Sequence, residues 1–293
     1  MTEKPLVSVI INCYNGEKFL REAIDSVMAQ TYENWELVFW DNQSTDSTRE
    51  IVESYGDPRI HYFYAPEHTP LGEARNLAVE KANGEYINFL DADDVWSFNK
   101  LEKQVGLIGN QNIAFSFTDF DILLESEDAY NSKTYSLFKR LQKRKIGENI
   151  YFELLKGNFI VFSSVLFKKE DYTRHGGVNG SFKQNEDYDI LLKCSCNSDV
   201  AYVKERLIKY RIHGDNGSNI NGDTGSLGYY ENRVIFNSLP ESKELRYAYE
   251  ENEIRIAISK MRNGDIIDNL LTIIRPKSWF CLGKMALLRF CGK

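Results

Sequence analysis

Asp91-Ala92-Asp93 places two carboxylates one residue apart, directly after the apolar run Tyr86–Leu90. Hard divalent cations take oxygen ligands, and a pair of carboxylates at a strand end can hold one. Mn2+ or Mg2+ held there would neutralise the charge of a departing diphosphate. The competing use of aspartate at such a place is helix capping. Asp41 poses a similar choice at the end of the run Trp35–Trp40. In Asp41-Asn42-Gln43-Ser44-Thr45-Asp46, Ser44 and Asp46 suit a helix cap, but capping leaves Asp41 unexplained. A carboxylate there can accept the ring N–H of a uracil, and Tyr14 offers a flat apolar face for such a base. Arg75 falls in the first turns of a helix, where the macrodipole disfavours a cation. It fits either an anionic neighbour such as a pyrophosphate or a surface ion pair. Glu186-Asp187 opens another helix, where the dipole alone favours acids. The chemical alternative is a general base that takes a proton from an incoming hydroxyl. Arg211 and His213, two apart on a strand, point to the same side and can both meet phosphate oxygens, although a structural histidine is the plainer reading of His213.

These residues need elements to hold them. Leu6–Asn12, Trp35–Trp40, Ile60–Tyr64 and Tyr86–Leu90 read as strands. Between them, Phe19–Met28, Ser44–Tyr55 and Gly72–Asn83 read as helices, the last stopped by Asn83-Gly84. Alternation of this kind predicts an α/β fold with a parallel sheet covered by helices. Ligands of such sheets sit beyond the carboxyl ends of the strands. Asn12–Asn15, Asp41–Asp46 and Asp91–Asp94 are therefore expected on one sheet edge, with Asp41, Asp91, Asp93 and Asp94 clustered there. Further on, Ile113–Thr118, Ile160–Phe167, Val200–Val203 and Leu207–Ile212 read as strands. Asn185–Cys196 reads as a helix, Gly176-Gly177 as a turn, and Lys139–Lys145 belongs to a basic, partly helical insertion. From Tyr229 onward the chain is expected to be mostly helical.

The 293 residues carry 42% hydrophobic and 27% charged side chains, which is ordinary globular composition. A net charge of −7 argues against a nucleic-acid binder. Five cysteines, an odd number in a long chain, fit reduced thiols rather than a disulfide framework. No signal-peptide pattern opens the sequence, and no run approaches the roughly 20 apolar residues of a bilayer span. A cytoplasmic protein is expected.

Taken together, the motifs resemble glycosyltransferase family 2, whose members have the GT-A fold. VSVIINCYN is similar to that family's first strand and nucleotide loop, DNQSTDST to its DDGSTDGT, and GEARN to its G-x-ARN. DADDVW resembles its D-x-D stretch, NEDYDILLK its acceptor motif, and YRIH its late R-x-H. The resemblance implies a mostly parallel GT-A sheet over residues 1–225, followed by a helical extension over 226–293. It implies an inverting transfer of one sugar from a nucleotide diphosphate, most often UDP, to a glycan or lipid-linked acceptor. Asn12, Tyr14, Asn15 and Asp41 would then hold the nucleotide. Arg75, Asp91 and Ala92 would lie by the ribose, sugar or diphosphate, with Arg211 and His213 beside them. Asp93, with Asp91, would ligate Mn2+ or Mg2+, and Asp187 would act as base with Glu186 as its neighbour. Two departures stand out: Asn42-Gln43 replaces the usual Asp-Gly, and the Q-x-x-R-W stretch of processive members is missing.

Other readings are a sugar nucleotidyltransferase or a catalytically silent glycan-binding module. A dinucleotide oxidoreductase would need a G-x-G-x-x-G turn that Asn12–Gly16 lacks. Asn269–Lys293 interleaves five basic residues with Trp279, Phe280, Leu282 and other apolar ones, without acids. That composition suits a helix lying on an anionic membrane surface, or a tail packed on the catalytic domain or on a second copy.

Overall fold

The computed structural model describes residues 4–109, 112–214, 216 and 224–262. It divides into two compact units: residues 1–154 with 158–219, and residues 155–157 with 220–293. The expected membrane-contacting tail, Asn269–Lys293, lies outside the described residues. None of the described helices is long and apolar enough to cross a membrane.

The strands are β1 (Val7–Cys13), β2 (Trp35–Asp41), β3 (Ile60–Tyr64), β4 (Tyr86–Phe89), β5 (Val95–Trp96), β6 (Ile113–Leu124), β7 (Leu166–Lys168) and β8 (Asp199–Ile212). The helices are α1 (Leu20–Met28), α2 (Thr48–Glu53), α3 (Leu71–Lys81), α4 (Lys100–Ile108), α5 (Lys133–Gln142), α6 (Ile150–Leu155), α7 (Lys169–Arg174), α8 (Glu186–Ser195), α9 (Thr224–Ser238) and α10 (Lys243–Arg262). Among the described residues, these strands form one eight-stranded sheet in the order β3-β2-β1-β4-β7-β6-β8-β5. The block β3-β2-β1-β4 is parallel, as its alternation with helices requires. Strand β7 is antiparallel to β4 and β6, β8 runs parallel to β6, and the short β5 is antiparallel to β8.

Every residue of β2 is buried, and so are six of seven in β1, because helices cover both faces. Val7, Val9 and Ile11 join Leu20, Ile24 and Val27 of α1 and Leu101 and Ile108 of α4 in one apolar cluster. Alternation turns Ser8 and Ile10 to the opposite face, where α3 packs on β1 and β2. Ser8 donates to Glu36 (2.5 Å) and accepts from the Gly84 N–H (2.8 Å), while the Asn83 N–H donates to Glu36 (2.6 Å). A Cβ on Gly84 would stand 2.6 Å from the Ser8 nitrogen, so only glycine fits this turn into β4.

Three local readings are corrected. The helix expected from Ser44 starts at Thr48. Residues 44–47 are held instead by side chains: the Ser44, Thr45 and Ser47 N–H groups donate to Asp41, Asn15 and Glu17. The strand expected over Ile160–Phe167 is a buried 3-10 turn, Phe162–Ser164, followed by the short β7. A buried apolar run has no period to distinguish the two, and the Ser164 hydroxyl bonds back to the Val161 carbonyl. The two strands expected over Val200–Val203 and Leu207–Ile212 are one, β8. Its exposed Lys204 and Glu205 are absorbed where the register against β6 shifts between Thr118 and Asp119.

Candidate active site

The loop after β4 meets α3 and the start of α8 on one side and the end of β8 on the other. Arg75, only 5% exposed, donates to Asp91 (3.0 Å) and to Glu186 (2.9 Å). Its guanidinium carbon lies 4.7 Å from the Phe162 ring centroid. The anions that answer Arg75 are thus two carboxylates far apart in the chain, in place of a surface partner. Asp187, next to Glu186, is half-buried. Its Oδ2 accepts from Asn158 Nδ2 (3.2 Å) and its Oδ1 from the Tyr188 N–H (2.6 Å). Burial, then the charges of Glu186 and Asp91, push its carboxyl up to about 7, against the pull of Arg75.

Asp93 stands on the other side of this loop. Its Oδ2 meets His213 Nε2 at 2.9 Å and Asn216 Nδ2 at 3.3 Å. Arg211, expected to face phosphate oxygens, has three of its donors engaged within the protein. Its backbone N–H donates to Asp94 Oδ1 (3.0 Å), Nε to the Asp93 carbonyl (2.8 Å) and Nη2 to Glu22 (2.9 Å). The guanidinium sits 4.4 Å over the Phe19 ring, which also packs 4.9 Å from His213. Asp94 is wholly buried, and burial together with Asp93 and Asp91 raises its pKa far above the usual carboxylate range. Ser163, on the turn that the sequence reading takes for a strand, accepts the Asp91 N–H (3.2 Å).

Beside Ala74, the residue preceding Arg75, lies a cavity of about 240 Å3 lined by Asn12, Tyr14, Asn42, His68, Thr69 and Leu71 among others. Tyr14 is 55% exposed and meets His68 edge-on at 4.6 Å. Asn12 Nδ2 is buried without a hydrogen-bond partner among the described residues. Asn15, in left-handed backbone (φ 54°), binds the loop after β2 through Ser44 and Thr45. Asp41 is 1% exposed, and its oxygens accept from the Ser44 N–H (2.7 Å) and the Tyr62 hydroxyl (2.6 Å). Asp41 therefore lies under this loop, while its neighbour Asn42 lines the cavity. Gln43 adopts φ 71°, a conformation suited to glycine, and its side chain is anchored to the Pro66 carbonyl (3.0 Å). Asn42 clamps the same neighbouring loop through Thr69 (2.8 Å to its carbonyl), and His68 Nδ1 meets the Asn42 carbonyl (2.8 Å). The sequence departure at 42–43 thus replaces backbone freedom with side-chain anchors.

Among the described residues, no three His, Cys, Asp or Glu side chains form a self-contained metal cage. A cation bound to a diphosphate does not need one, since phosphate and water supply most ligands. Asp91 and Asp93 keep 39% and 28% of their side-chain surface accessible. His213 and Asn216 both meet the same oxygen of Asp93, so the donor set fits a cation shared with a ligand. Ala92, between Asp91 and Asp93, is half-buried and packs on the apolar cluster. Asn158, Ser163, Glu22, Asn216 and His68 escape sequence reading because single Asn, Ser, Glu or His residues carry no spacing signal.

The chain matches glycosyl transferase family 2 over residues 8–170. An uncharacterised glycosyltransferase of Rickettsia typhi is 36% identical over 221 residues, covering 72% of this chain and 65% of that one. The Escherichia coli UDP-Glc:α-D-GlcNAc-diphosphoundecaprenol β-1,3-glucosyltransferase is 33% identical over 209 residues, covering 71% and 77%. The match spans less than two thirds of the Rickettsia typhi and Rickettsia prowazekii relatives (65% and 66%) and about a third of the relative from Rickettsia felis (35%). A Pyrobaculum calidifontis mannosyltransferase, solved with GDP-Man and Mn2+, shares the fold with a TM-score of 0.64 at 16% identity, covering 99% of this chain and 81% of that one.

Proposed function

The chain belongs to glycosyl transferase family 2, and from that premise we propose that it moves one sugar from a nucleotide diphosphate to a hydroxyl of a surface-glycan precursor, with inversion. The observation that carries this reading is the meeting of Asp91, Arg75, Glu186 and Asp187 beside the loop of Asp93. The cavity by Tyr14, His68 and Asn42 takes the nucleobase, with Asn12 Nδ2 as an available donor. Asp41 holds the floor of that cavity through the Ser44 N–H. The E. coli relative's UDP-Glc donor and lipid-diphosphate acceptor support a UDP-sugar and a lipid-linked acceptor here.

Asp187 takes the acceptor proton. A carboxyl poised near pH 7 combines a populated basic form with enough basicity to accept that proton. The acceptor oxygen then attacks the anomeric carbon opposite the diphosphate. Asp93 with Asp91 would hold Mn2+ or Mg2+, which when bound would supply charge neutralisation for the leaving diphosphate. His213 and Asn216 fix the Asp93 carboxylate, and Arg211 braces the loop by holding Asp94 and the Asp93 carbonyl. Arg75 fixes Asp91 and Glu186 in place. Cytoplasmic placement accompanies such a donor.

A thermal-shift screen of UDP-, dTDP- and GDP-sugars, and of nucleoside triphosphates with a sugar phosphate, with and without Mn2+, tests this. The reading expects stabilisation by a UDP-sugar that grows with Mn2+. Stabilisation only by a nucleoside triphosphate with a sugar phosphate would favour a nucleotidyltransferase, and no response to any donor would favour a silent glycan-binding module.

A further inference from the structure

The transfer reading leaves the basic insertion after β6 without a task. Residues 132–146 hold six of the chain's 36 basic residues and none of its 43 acidic ones. They form α5 and its exit. The helix is firmly seated: the Ser132 hydroxyl caps the Tyr135 N–H (2.9 Å). Phe138 packs on Phe120 and stacks on Tyr210 at 4.0 Å, and Gln142 donates to the Phe120 carbonyl. The seated face leaves the cations outside. Lys133, Lys139, Arg140, Lys143 and Lys145 are all exposed, and none has an ion-pair partner among the described residues. Arg144 alone turns inward, to Glu153.

Helix-dipole stabilisation explains Lys139 and Arg140 in the last turn. It does not explain Lys133 in the first turn, where a cation is disfavoured, or Lys145 beyond the end. In a chain of net charge −7, five unpaired cations on one surface concentrate opposite charge against the average. Aromatic rings stand among them: Tyr130, 57% exposed, meets Tyr135 at 4.9 Å, and Lys139 lies 5.6 Å from the Tyr135 ring centroid. The patch also stands at the site's edge of the sheet. Leu124, the end of β6, pairs with Ile212, next to His213, and Glu125 pairs with Lys18 of the loop after β1.

We propose that α5 is a docking surface for an anionic phospholipid bilayer, which brings the Asp93 edge toward membrane-borne acceptors. Charge complementarity selects an anionic partner. The outward face of a lone helix has no cleft with converging polar groups, as a bound glycan chain requires. Cations set beside exposed aromatic rings fit the interfacial layer of a bilayer instead. The proposal goes beyond the transfer reading, and its test needs no donor.

The test is co-sedimentation of the full chain with vesicles of phosphatidylglycerol in phosphatidylcholine, and of phosphatidylcholine alone, at low and high salt. Two variants, K139E/R140E/K143E and K139Q/R140Q/K143Q, are compared with the native chain, with UDP thermal shifts to show that the donor site persists. Each cation near an anionic surface is worth about fivefold, so the Gln variant should bind phosphatidylglycerol vesicles about a hundredfold more weakly, and the Glu variant, which reverses the three charges, more weakly still. The native chain should be released by salt and should ignore phosphatidylcholine. Native-level binding by both variants, or equal binding to both vesicle types, overturns the proposal. So does loss of heparin binding in the variants with vesicle binding intact, which would assign the patch to a soluble polyanion.

Discussion

Replacing Asp187 with Asn separates chemistry from architecture, because the two effects have opposite signs. Loss of the base should lower kcat by about 10²- to 10⁴-fold. The stability effect follows from the raised carboxyl. In the unfolded chain Asp187 ionises near its usual 3.8, and in the folded chain at about 7. A group that holds its proton more tightly when folded costs nothing below pH 4. Its cost grows as pH rises through that interval and is constant above 7. At about 1.4 kcal/mol per pH unit, the ceiling is about 4 kcal/mol. Water reaches the half-buried carboxylate, so about 1–2 kcal/mol is expected after screening. Asp187→Asn should therefore melt about 2–6 °C above the native chain at pH 8, with the gap closing toward pH 4. The amide oxygen introduced by this substitution would still accept from Asn158, so UDP and Mn2+ binding by calorimetry should be unchanged. The native kcat/KM should fall below about pH 7. Native turnover by the variant, or a variant less stable at pH 8, would refute the reasoning.

Arg75→Ala would leave Glu186 and Asp91 facing each other without their shared cation. Urea denaturation should show a loss of about 3 kcal/mol, since breaking a buried pair strands a charge. Arg75→Lys should fall between, because an ammonium cannot match the forked geometry that spans both carboxylates. Lys100 is wholly buried, donates to Gln104 (2.7 Å) and lies 4.1 Å over the Trp96 ring. Burial lowers its pKa well below the usual lysine range, so the folded chain gives up a proton that the unfolded chain keeps. That makes stability rise with pH. Lys100→Met should be more stable near neutrality, with the difference shrinking as pH approaches lysine's usual 10.5, as read from thermal melts across pH.

Much of the site is legible in the sequence for a physical reason. The parallel block β3-β2-β1-β4 follows from strand-helix alternation, and that block delivers Asp41, Asp91 and Asp93 to one edge. Glu186-Asp187 is legible as an acidic helix start, but its pairing with Arg75 is not, because nothing local reports a contact across 111 positions. The turn Phe162–Ser164 reads as strand because burial on all sides erases periodicity. With it, the sequence reading misses Ser163 under Asp91. Arg211 looks like a phosphate ligand by type and place, and only the folded chain reveals Glu22 and the Asp93 carbonyl on its guanidinium. Gln43 marks the opposite case: its departure from glycine is plain in the sequence, whereas the anchors that hold its left-handed backbone lie in the loop before α3.

Asp93 and its neighbours are proposed to bind a divalent cation together with a nucleoside diphosphate. Titrating Mn2+ by electron paramagnetic resonance in the presence of UDP tests it most directly. The native chain and Asp187→Asn should remove the free-Mn2+ signal only when UDP is present, while Asp93→Asn should leave that signal standing. Equal uptake of Mn2+ by Asp93→Asn and the native chain would contradict the account.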